Sequence, residues 1–94
     1  MLFEATHTHP AVMCPLLKPE GKTMIKKLFS DENVNKAGIK ITAAYMSCPK
    51  DTAADHKGFF TIETENQAAV TEFFGSMTVE VRPVKPLSEI AKTL

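Results

Sequence analysis

The stretch IKITAAYMSCPKDTAADHKGFFTIET, residues 39–64, contains two runs rich in β-branched and aromatic residues, joined by the polar, turn-rich PKDTAAD. Two such runs in succession read as consecutive strands. Helical spacing flanks the pair on both outer sides, so it decides the fold class. Toward the C-terminus, Thr64 followed three residues later by Gln67 fits a capping box. Ala69, Val70, Phe73, Phe74 and Met77 then form the buried stripe of a helix that ends near Gly75 and Ser76. Residues 78–84 read as a further strand, and SEIAKTL, residues 88–94, as a short terminal helix.

Toward the N-terminus, Gly38 is the left-handed terminator of a helix that begins near Pro19, with Glu20 at the positive end of its dipole. Met24, Ile25, Leu28 and Phe29 supply its apolar stripe, and SDEN at 30–33 leaves open whether one helix or two results. LFEATHTH, residues 2–9, alternates as a strand and is closed by Pro10. The order is strand, helix, strand, strand, helix, strand. Right-handed crossovers acting on that order predict an α+β, ferredoxin-like βαββαβ domain spanning 1–94, with a four-stranded antiparallel sheet ordered 4-1-3-2 and the helices on one face.

With 94 residues there is room for one domain, which buries only about two-thirds of its unfolded surface. Eleven basic and eleven acidic side chains cancel, leaving no global field to attract nucleic acid or an acidic membrane surface. No segment approaches the roughly 20 apolar residues of a membrane span, and the opening residues lack a signal peptide's charged head and apolar run. The expectation is a cytoplasmic protein, with Cys14 and Cys48 as free thiols.

Strand parity sorts the residues into two faces. Phe3, Ala5, Ile39, Ile41, Ala43, Tyr45, Phe60, Ile62, Val79 and Val81 form the set expected beneath the helices. Glu4, Thr6, Thr8, Lys40, Thr42, Lys57, Phe59, Thr61, Glu63, Glu80 and Arg82 form the other. That second face is too polar for a dry core. Phe59, Ala44 and Met46 scattered on it favour a stacked homodimer.

THTHP at 6–10, CP at 14–15, KPE at 18–20 and the βαββαβ order resemble small prokaryotic proteins of the DUF3303-like family, in the dimeric α/β-barrel superfamily. The resemblance implies the fold and a homodimer, but no activity. Other members of the wider superfamily are cofactor-free monooxygenases, haem enzymes or ligand binders, and shared fold alone transfers none of these functions.

His7 and His9 lie on one side of the first strand, about 7 Å apart along it, and Cys14 follows within five residues. Two imidazoles and a thiolate suit Zn²⁺ or copper with a fourth position open. Parity places His7 on the face of Phe3 and Ala5, so packed core histidines and an acid–base pair are the competing readings. Cys14, just before a helix, reads either as an activated thiol or as a buried loop anchor among Val12, Met13, Leu16 and Leu17. Taking the first strand as parallel to the third puts His56 and Cys48 at the far end of the sheet, beyond reach of His9. Cys48 and His56 would then be a weak second pair or an exposed hairpin tip.

Glu4, Glu80 and Arg82 fall on neighbouring strands of the polar face, as a cross-strand ion pair or an anion clamp for a small ligand. The expectation is a small cytoplasmic binding protein, holding a metal ion or small-molecule ligand at His7, His9 and Cys14. The alternatives are a small oxidoreductase or monooxygenase-like enzyme and a purely structural or regulatory homodimer.

Overall fold

A computed structural model of the chain describes residues 1–10, 14, 18–47, 55–75 and 77–94. Its elements are β1 (Leu2–His9), α1 (Pro19–Leu28), α2 (Asp31–Lys36), β2 (Lys40–Ser47), β3 (His56–Glu63), α3 (Gln67–Phe74), β4 (Val79–Val84) and α4 (Leu87–Ala91). The four strands form one open sheet in the order β2-β3-β1-β4, the expected 4-1-3-2 read from its other edge. Every neighbouring pair is antiparallel.

One expectation about strand direction is corrected. β1 runs antiparallel to β3, not parallel, and His9 is the register partner of His56. The connectivity explains it. The crossover through α1 and α2 returns β2 in the direction of β1, and the hairpin then reverses β3. The last residue of β1 therefore meets the first residue of β3.

The core consists of Phe3, Ala5, Ile39, Phe60, Ile62, Val70, Phe73 and Phe74, drawn from the helix-covered face of the sheet and from α3. Phe29 stacks on Phe60 with centroids 5.2 Å apart and meets Phe73 edge-on at 5.6 Å. Such aromatic pairs add about 0.5–1.5 kcal/mol each beyond the area they bury.

A register shift between Ile41 and Ala43 leaves Thr42 as an extra residue on β2. Its hydroxyl donates to the Thr61 carbonyl at 3.2 Å. An unpaired residue reverses the alternation beyond it. Ala44 and Met46 consequently share the core face with Phe60 and Gly58, while Ala43 and Tyr45 share the open face with Thr61 and Phe59. The parity expected for Ala43 and Tyr45 is thus inverted, and so is that of Ala44 and Met46. Tyr45 is 70% exposed.

The open question about the first helical segment resolves as two helices. Ser30 caps α2 by accepting from the Asn33 amide, and Gly38, with φ 73°, lets the chain turn into β2. α1 starts at Pro19 as expected but buries none of its residues. Met24 is exposed, Ile25 is half-buried, and Leu28 packs on the core beside Phe29. At α3 the cap is Asn66, accepting from the Ala68 amide, rather than Thr64. The Thr64 hydroxyl accepts from the Asn66 amide at 3.4 Å and donates to the Gly38 carbonyl at 3.1 Å.

Candidate metal centre

Alternation along β1 turns His7 and His9 to the same side as Phe3 and Ala5, and alternation along β3 turns His56 to the side of Phe60 and Ile62. Antiparallel pairing brings these sets together. His9 faces His56, and His7 faces Gly58. All three imidazoles are buried, at 8%, 8% and 4% exposure, and Cys14 is buried beside them at 6%. The His9 and His56 rings meet edge to face with centroids 5.2 Å apart.

The donor atoms of His9, Cys14 and His56 all lie within 4.8 Å of one another. Three atoms so spaced have a common point no more than about 2.8 Å from each (4.8 Å divided by √3). Zn–N and Zn–S bonds run about 2.0–2.3 Å, so closing on an ion asks each donor to move inward by less than about 1 Å.

A hydrogen-bond chain sets the ring orientations. The Thr78 carbonyl can only accept, so His7 Nδ1 donates to it at 2.7 Å. In the neutral ring, His7 Nε2 then accepts from His9 Nδ1 at 3.0 Å. That leaves His9 Nε2 carrying a lone pair. Among the described residues, His9 Nε2 and both nitrogens of His56 are buried with no hydrogen-bond partner. Leaving such groups unpaired costs about 1–3 kcal/mol apiece, and a coordinated ion relieves that cost where it binds. Burial foremost, then the neighbouring His7 and His56 rings, hold the His9 imidazole below its ordinary value of 6.5, against a smaller opposing pull from Asp55. A ring kept neutral keeps its lone pair for a metal.

His7, His9 and Cys14 line a cavity of about 500 Å³, whose walls also include Ile25, Ile41, Met46 and Met77. Gly58 leaves little room for a side chain beside it. A Cβ there would lie 2.9 Å from the Met46 sulfur and 3.0 Å from the Phe60 ring.

Of the residues expected to form a metal site, His9 and Cys14 come together, and His56 joins them. His7 touches His9, with one nitrogen on Thr78 and the other on His9. Glu4 and Arg82 are register partners on the open face, away from the histidines. Arg82 bonds Glu80 at 2.6 Å instead, with both side chains well exposed. Cys48 lies outside the described residues, as does its proposed pairing with His56. The signal for His56 was the connectivity itself, since a crossover followed by a hairpin makes β1 and β3 antiparallel.

No helix among the described residues is long and apolar enough to cross a membrane. Comparison with protein-family models, curated proteins and solved structures finds no match.

Proposed function

We propose that this chain binds a transition-metal ion, Zn²⁺ or copper, through His9, Cys14 and His56, with His7 as the residue that orients His9. The observation that carries it is the convergence of buried, unpartnered imidazole nitrogens on a buried thiol. Metal-bound histidines ordinarily donate their second N–H to a fixed acceptor, and the path from His9 through His7 to Thr78 supplies one. Three protein donors leave a fourth position for water or a small ligand. A reducing cytoplasm would keep Cys14 a thiol.

Elemental analysis of untagged protein, followed by chelator competition on the wild type, Cys14→Ser and His56→Ala, tests this. Near-stoichiometric metal that either substitution releases is the expected result. Metal uptake indifferent to both rules the site out.

A second reading, a small enzyme using the ion's open position, is favoured by the adjacent cavity of about 500 Å³, large enough for a small substrate. For the expected homodimer, support comes from Tyr45 and Phe59, register partners on the open sheet face. Sedimentation across the micromolar range decides that point.

A further inference from the structure

We infer, resting on the metal reading above, that Met46 supplies the fourth ligand through its thioether and so makes the site selective for Cu(I) over Zn²⁺. The bulge at Thr42 is the first observation. Regular pairing through residue 42 would send Met46 to the open face, and the extra residue sends it to the face that carries the histidines. Bulges are found next to functional sites, where they re-aim a side chain.

The second is where the sulfur lies. Met46 is the register partner of Gly58, and its Sδ rests 2.9 Å from where a Cβ at that glycine would be. Gly58 is flanked by His7 on β1 and follows His56 by two residues on the same face of β3. Same-face neighbours in a strand stand about 7 Å apart. A methionine, unbranched with three rotatable bonds, can cross that interval by changing rotamer.

The third is that packing does not account for the position. Met46 is 51% exposed, yet it lines the same cavity as His9 and Cys14. Core packing would bury the side chain, whereas a donor at the mouth of a site need not be buried.

Ligand softness then sets the metal. Two imidazoles and a thiolate alone suit zinc or copper, and an added thioether favours copper, Cu(I) above all.

The test is competition for Cu(I) and, separately, Zn²⁺ against chromophoric chelators, in wild type and Met46→Leu. Leucine is close to methionine in volume and leaves the fold intact. The expected result is a Cu(I) affinity lower by about tenfold or more in the variant, the least that losing even an outer-shell partner costs, with Zn²⁺ affinity unchanged. X-ray absorption of the Cu(I)-loaded wild type gives an independent readout, with two sulfur neighbours expected, falling to one in the variant.

Equal Cu(I) affinities with one sulfur in both proteins overturn the assignment while leaving the His9, Cys14 and His56 site standing. A matching loss of Zn²⁺ affinity assigns Met46 to packing and overturns it too. Metal uptake by neither protein removes the site and the inference together.

Discussion

Replacing His56 by leucine should make the metal-free protein more stable and the metal-treated protein less stable than the wild type. His56 is 4% exposed and both of its ring nitrogens lack partners. At the low end of about 1–3 kcal/mol for each of the two unpaired nitrogens, and with about 1 kcal/mol lost on repacking a side chain of similar volume, the net gain is about 1 kcal/mol. For a domain of this size that raises Tm by about 4–8 °C. Metal reverses the order. At 100 times its Kd, an ion stabilises the wild type by about 2.7 kcal/mol, and a variant lacking one donor gains much less. Thermal melts in chelator and in excess Zn²⁺ read both halves of the prediction. A chelated variant that melts well below the wild type would mean that His56 is an ordinary satisfied core residue. Equal metal-induced shifts would mean that it is not a ligand.

Other consequences can be checked on the same protein. His7→Phe removes the acceptor that orients His9, and chelator competition should show metal affinity reduced about 10–100-fold with unchanged stoichiometry; complete loss of binding would make His7 a ligand. Because His9 is held below 6.5 when folded, the unfolded chain takes up the proton first. Stability of the metal-free protein should therefore be complete above about pH 6.5 and decline as pH falls through that value toward the lowered folded one. Urea midpoints between pH 5 and 8 measure this, and His9→Gln should flatten the profile. Gly58→Ala pushes a methyl group against the flexible Met46 sulfur and the packed Phe60 ring, a cost of about 1–3 kcal/mol by denaturant titration. No change in stability would show that the Phe60 stack is looser than described.

Much of the architecture was legible because each element carries a strong local signal. Pro19 and Gly38 mark a start and a stop, and the parity of β1 places Phe3, Ala5, His7 and His9 on one buried face. The bulge was not legible. Ala43 and Ala44 are adjacent, small and equally tolerable on either face, so hydrophobic alternation in β2 is weak where the register slips. The capping box read at Thr64 and Gln67 missed the α3 cap by two residues, since Asn66 accepts from the Ala68 amide while Thr64 accepts from the Asn66 amide ahead of the helix. His56 was missed for a different reason, an error in strand direction rather than any weakness of local signal.

The arrangement of donors also bears on α1, a helix with no buried residue of its own. His9 and His56 come from the two central strands, and the hydrogen-bond chain that orients His9 through His7 ends at Thr78, just before β4. Cys14 is the donor that does not belong to the sheet, and it precedes the start of α1 by five residues. α1 buries none of its residues and meets the core through Leu28 at its far end and Phe29 just beyond it. An ion bridging Cys14 to the two central strands would fasten a residue outside the sheet to the sheet. Binding energy at such a site is also folding energy for the segment it fastens. On the proposed reading, the buried imidazoles lower the stability of the metal-free sheet, and coordination offsets that loss.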